Sequence, residues 1–121
     1  MRYTKNKSLS STTQEIDKLS NDARLHFSND LLQFIDNLIL IEINNKLKDD
    51  LILHRRIDVR SADEMAKDIS ETVFNALDKN LYKNQNETIL NTNYIMTYIT
   101  RRTLLTLMTA ITEHNSTVLA D

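Results

Sequence analysis

The sequence predicts an all-α protein built from four helices. Apolar residues recur at helical spacing in four stretches, cap residues mark where those stretches begin, and alternation in period two is confined to two short connections. The 121 residues are 40% hydrophobic and 26% charged, a globular composition with enough chain for one core. Glycine and proline are both absent, so boundaries must be read from caps, polar clusters and periodicity rather than from breakers.

Residues 1–11 carry Arg2, Lys5 and Lys7 against no acid, with Ser8, Ser10 and Ser11 following. They read as a flexible basic tail ahead of a single helical domain over residues 12–121. A short first helix spans Thr13 to about Arg24: Ile16, Leu19 and Ala23 share one face, and Thr12-Thr13-Gln14-Glu15 ends in the acid a capping box uses. Leu25-His26-Phe27 alternates but is too short for a strand, and Ser28-Asn29-Asp30 then offers three N-cap residues in a row.

The second helix, about Asn29 to His54, is apolar around most of its circumference, its polar stripe of Gln33, Asn37, Asn44 and Lys48 being interrupted by Leu40. Such a helix is expected at the centre of the fold, wrapped by the other helices or by a second chain. Each large apolar side chain left bare forgoes about 1.5–3 kcal/mol of burial, so dimerisation is the property this helix predicts most directly. The expected interface is Leu31, Phe34, Ile35, Leu38, Ile41 and Leu47.

Arg55-Arg56-Ile57-Asp58-Val59-Arg60 alternates and reads as an extended connection. Ser61-Ala62-Asp63-Glu64 matches the Ser-x-x-Glu capping box, and Met65, Ile69, Val73, Leu77 and Leu81 then recur every four residues, giving a third helix over about 62–82. The polar run Lys83 to Thr88 separates it from a fourth helix, capped by Asn91 or Thr92 and carrying Ile95, Ile99, Leu104, Leu107, Met108 and Ile111 to about His114.

Short helix, extended connection, long helix, extended connection and third helix is an order that resembles the histone fold. Ile16-Asp17-Lys18-Leu19 through Ala23, with Leu25-His26-Phe27-Ser28, is similar to that family's first helix and loop. Arg56 to Asp63 is similar to its second loop and third-helix start, where an arginine and an aspartate seven positions apart commonly pair. The resemblance covers about residues 12–70 and implies a histone-fold-like core with a C-terminal helical extension. It further implies a head-to-tail dimer in which the two loops of opposite chains meet. Asp58 stands where the family usually has threonine, and the second helix is about three residues short. A competing register places Thr88 to Ile95 on the same loop and third helix.

Composition removes several function classes. Without cysteine there is no disulfide scaffold, thiol catalysis or Cys-based metal site, and without glycine no Gly-rich phosphate loop or nucleophile elbow. His26, His54 and His114 are scattered, with no spacing that suits a metal; no cofactor is expected. Asp49-Asp50 and Asp63-Glu64 lie in polar surroundings that favour a solvated or capping role over acid–base chemistry. No enzymatic activity is expected.

The absence of an 18-residue apolar run or a secretory signal predicts no membrane contact and an intracellular protein, nuclear in a eukaryote, otherwise cytoplasmic or nucleoid-associated. Net charge is −2, so any nucleic-acid surface must be local. The candidate surface is Arg24, Arg55, Arg56 and Arg60, whose guanidiniums suit phosphate if the loops come together. Asp22, Asp30, Asp58, Asp63 and Glu64 stand in the same neighbourhood as ready partners for them. Arg101-Arg102 reads as the solvated side of the fourth helix.

The first functional reading is a non-catalytic, dimerising, DNA-associated subunit of a transcription or chromatin complex. Its partner would be a second copy or a histone-fold-like chain, and its paired loops would touch the backbone of double-stranded DNA. The alternative is a small helical adaptor or inhibitor that acts only through protein–protein contact.

Overall fold

With no glycine or proline to interrupt them, the helices run until tertiary contacts or caps stop them. The computed structural model describes the backbone of residues 2–84 and 92–120, and the side-chain surroundings of residues 12–77 and 94–118. Four α-helices account for almost all of it: α1 (Arg2–Ala23), α2 (Asn29–Ile52), α3 (Ala62–Asn84) and α4 (Thr92–Ala120), with a single 3-10 turn at Val59–Ser61. No strand occurs among the described residues, and both alternating scraps are turns or extended connections. Helix α1 begins at Arg2 rather than near Thr13, so helical geometry runs back through the stretch read as a tail. The side-chain surroundings of residues 2–11, and the polar connection from Gln85 onward, lie outside the described residues.

Ser28 caps α2 as expected, its hydroxyl accepting from the Leu31 N–H at 3.2 Å. The other end closes on a Schellman motif: His54 N–H donates to the Leu51 carbonyl and Arg55 N–H to the Asp50 carbonyl at 2.9 Å. That motif needs a left-handed residue. In the absence of glycine, His54 supplies it, at φ 53°.

The expected Ser61–Glu64 capping box does not form. Ser61 Oγ instead donates backwards to the Asp58 carbonyl at 2.7 Å, and the Asp58 carboxylate accepts from the Arg60 N–H at 2.9 Å. Asp58 therefore caps the 3-10 turn, and α3 is entered through that turn.

Helix α4, not α2, is the centre. It packs against α1, α2, α3 and the 3-10 turn, whereas α2 packs only on α3 and α4 to any extent. Ile95, Tyr98, Ile99, Thr103, Leu105, Leu107, Ile111 and Asn115 of α4 are buried, spread around the helix rather than along one stripe. On α2 the buried residues are Leu32, Ile35, Ile39, Ile43 and Leu47, one stripe at spacings of three and four, which is the pattern of a helix with one covered face. Of the two ways of enclosing α2 that the aliphatic count predicts, wrapping by its own helices is corrected: one flank is open in this chain. Helix α3 buries Ile69, Val73 and Leu77 of the stripe read from the sequence, with Ala62 and Ala66 besides; Met65 is partly buried, and the surroundings of Leu81 lie outside the described residues.

Candidate functional site

The four candidate arginines do not gather on one edge. Arg24 follows α1 at the start of α2, while Arg55, Arg56 and Arg60 follow its end, so the 24 residues of α2, about 36 Å, separate the two groups. Only a second chain could bring them together. Their partners are local: Arg24 donates to Asn21 at 2.8 Å, Arg55 pairs with Asp50 at 3.2 Å, and Arg60 pairs with Asp58 at 3.1 Å. Hydrogen bonds from the Arg60 side chain and then from its backbone N–H hold the Asp58 carboxyl below its ordinary value. Arg56 forms no ion pair among the described residues, and the Arg56–Asp63 pair implied by the family resemblance is not made.

Arg102, read as solvated, instead enters a partly buried polar cluster between three helices. Asp36 of α2 receives the Tyr98 hydroxyl at 2.9 Å and Arg102 Nε at 3.2 Å on the same oxygen, and Arg102 Nη1 reaches Ser20 of α1 at 3.4 Å. Burial pushes the Asp36 carboxyl above its ordinary value. The Arg102 charge, the hydrogen bonds from Tyr98 and Arg102, and the more distant Arg24 charge all oppose it. Burial first, and then the neighbouring Asp36 charge and hydrogen bond, push the Tyr98 hydroxyl up to about 12. Tyr98 is thereby a fixed donor and Asp36 an acceptor whose two partners share one oxygen. Neither groove described below reaches this cluster. Its chemistry is that of a tie between α1, α2 and α4. Arg101 adds an exposed link to Glu15 of α1 at 3.3 Å.

A second tie fixes the connection after α2. The Asn115 side chain, buried on α4, accepts from the Ile57 N–H and donates to the Ile57 carbonyl, both at 2.8 Å, so one amide satisfies both backbone groups of a buried residue. His114 Nε2 contacts the Arg55 carbonyl at 2.6 Å. At the opposite end of α2, the His26 ring lies against Tyr94 at 4.3 Å between centroids and Phe27 meets the same ring edge-on at 5.7 Å, seating the α1–α2 turn on the start of α4. All three ties join residues far apart in sequence, and the local pattern carries no sign of them. His54 is taken up by the end of α2 described above.

The expected interface residues divide. Ile35 (0% exposed) and Leu47 (1%) are covered by this chain's own helices and need no partner. Phe34 (39%) and Ile41 (53%) are exposed on the opposite face, and Leu31 and Leu38 lie partly buried at its edge. Leu40 and Ile52 are exposed as well.

Two shallow depressions lie on the surface of the described residues. One of about 390 Å³ lies between α3 and α4, floored by Ala66, Met96 and Leu104 and rimmed by Asp63, Lys67 and Glu71. A smaller one of about 200 Å³ lies between α2 and α3, beside Glu42, Lys46 and Asp68. The Lys46–Asp68 pair, at 3.4 Å, closes one side of the second. No group of three or more metal-ligating side chains occurs among the described residues. No described helix is long and apolar enough to cross a membrane. No family model, curated protein or solved structure matches the chain.

Proposed function

We propose that this chain is a non-catalytic interaction subunit that pairs with a second copy of itself through the outer flank of α2. The observation that carries this reading is the exposure of Phe34 and Ile41, with the partly buried Leu38 at their edge, on the face of α2 that no helix covers among the described residues. The opposite stripe of the helix is packed, Asp36 is bonded to Tyr98 and the connection after α2 is held by Asn115, so these residues sit on a fixed element, ready to be covered without a change of fold. The ion pairs of Arg55 and Arg60 with their neighbours favour protein–protein contact over a phosphate surface as the main task.

Sedimentation of the purified chain across a micromolar concentration series tests it. The expected mass is a dimer's, and Ile41→Glu, which buries an unpaired carboxylate in the proposed contact, shifts the chain to monomer without changing its helicity. A wild-type monomer at every concentration rejects the reading.

A nucleic-acid contact is favoured by one observation: Arg56 is exposed and without an ion pair among the described residues, flanked by Arg55 and Arg60. In that reading the chain serves a transcription or chromatin complex, and binding to random duplex DNA at low salt weakens steeply with added salt and drops when Arg55 and Arg56 are both changed to Ala. Absence of binding at low salt removes it.

A further inference from the structure

We propose that the two α2 helices pair antiparallel, with Asp30 of each chain opposite the partner's Lys48. This rests on the preceding reading that the outer flank of α2 takes a second copy, and adds the direction and register of the contact.

The argument is one of helical azimuth and charge. Asp30 and Lys48 are eighteen residues apart, five turns of an α-helix, so both project from the same line along α2 about 27 Å from each other. Phe34, Asn37, Ile41 and Asn44 lie between them within about 40° of that line, with Leu38 about 80° round from it. The exposed flank therefore carries an acid at its N-terminal end, a middle in which Phe34 and Ile41 alternate with Asn37 and Asn44, and a base at its C-terminal end. A surface of that kind is complementary to itself only under a two-fold axis crossing the helix. Parallel pairing sets acid against acid and base against base, whereas antiparallel pairing makes both end contacts attractive.

The other charges on α2 leave this pair available. Asp36 is held by Arg102, Lys46 by Asp68 and Asp50 by Arg55, while Glu42 borders the groove toward α3. Asp30 and Lys48 are both exposed and form no ion pair among the described residues. Asp49, also without an ion pair there, projects about 100° round from Lys48, off the line. The midpoint of the register falls level with Ile39, so Ile41 of each chain comes close to the axis, where position 41 of one chain is level with position 37 of the other and position 34 with position 44. Asp30 and Lys48 also complement the macrodipole of their own helix, which is why the test must read association separately from folding.

The test is charge exchange read by sedimentation at low salt, with circular dichroism on every variant. Asp30→Lys alone and Lys48→Asp alone each put like charges at both end contacts, and each weakens self-association by about tenfold or more. An equimolar mixture of the two single variants restores the dimer, because in the mixed pair both contacts are again attractive. The doubly exchanged chain also dimerises, and salt reduces the difference between wild type and single variants. A dimer that persists in the wild type but is indifferent to both reversals, or single variants that fail to rescue one another on mixing, overturns the antiparallel register while leaving the α2 contact standing. A wild-type monomer throughout removes the contact itself. Should a reversal melt α2, Asp30→Asn and Lys48→Gln take away the attraction without adding repulsion, and each is then expected to weaken the dimer a few-fold, with no weakening counting against the register.

Discussion

Helices α2 and α4 are alike in composition and opposite in environment. Roughly half the residues of each are apolar, yet α4 is packed on every other helix and α2 is wet along one flank. The difference lies in what separates the aliphatics. In α2 they are interleaved with Asp30, Asp36, Glu42, Lys46, Lys48, Asp49 and Asp50, spread so that each turn has something that must reach water or an ionic partner. Between Tyr94 and Thr112, α4 has only Arg101 and Arg102 as charges, and its remaining polar positions are mostly threonines. A threonine can be buried, because its hydroxyl can bond back to a helix carbonyl, as Thr109 does to Leu105 at 3.0 Å. The residue that decides which of two apolar helices sits in the middle is therefore the charged one that is missing, not the aliphatic one that is present.

The widest gap between the two helices should appear on truncating a central side chain. Leu107 is fully buried on the helix that packs against all the others, so Leu107→Ala is expected to cost about 2–5 kcal/mol, read from the urea midpoint. If the loss is no larger than that of an exposed α2 residue, the central place given to α4 is wrong.

A smaller effect, with a distinctive pH dependence, belongs to the tie between them. Tyr98→Phe removes the bond to Asp36 and is expected to cost about 1 kcal/mol at neutral pH. Tyr98 holds its proton to about 12 in the folded chain, against 10.0 ordinarily. Between those values the unfolded chain has lost the proton and the folded chain keeps it, so the stability this group contributes is fully present below pH 10 and is lost as pH rises through about 12. Denaturation curves across that window should fall more steeply for wild type than for Tyr98→Phe, and equal slopes would contradict the burial of the hydroxyl. Asp36 follows the same sign at the acid end, since its carboxyl is also raised: its contribution is present below its ordinary 3.8 and fades as pH climbs through the raised value.

Thr103 sharpens the comparison from the side of α4. Its hydroxyl is fully buried with no hydrogen-bond partner, and Val keeps the shape while removing the orphaned group. Thr103→Val is expected to stabilise the fold by about 1 kcal/mol, as a rise in urea midpoint at unchanged slope. A loss instead would show that the hydroxyl is satisfied in solution.

These residues also mark how far the sequence could be read. The number of helices, the Ser28 cap, the start of α3 at Ala62 and the Ile69–Val73–Leu77 stripe are local, set by spacing and cap chemistry, and all were legible. The Ser61–Glu64 box failed because a second local device, the Asp58 cap of a 3-10 turn, competed for the same serine. Arg102 and Asp36 are brought together only by tertiary packing, as are Asn115 and Ile57, so an arginine read as solvated is a structural tie, and no local pattern marks the asparagine as one. The arginine edge was legible as four residues but not as a surface, because the length of α2 separates Arg24 from the other three.

The smallest effect on folding is expected at Ile41, and its smallness is what makes it informative. At more than half exposure the side chain contributes little to the fold of one chain, so Ile41→Ser should change stability by less than about 0.5 kcal/mol, read from the urea midpoint at concentrations too low for pairing. A partner that covers α2 adds stability that grows with protein concentration, because it binds the folded chain and not the unfolded one. The wild-type midpoint should then rise across a hundredfold increase in concentration while that of Ile41→Ser stays flat. Leu107→Ala should show the contrary pattern, a large loss whose size is the same at low and high concentration, provided the dimer contact itself is intact. Parallel curves for wild type and Ile41→Ser would mean that the open flank of α2 is merely tolerated in water. Divergent curves would mean that the aliphatics α2 spends on its outer face have a counterpart in solution, and that the two apolar helices serve two different contacts, one inside the chain and one between chains.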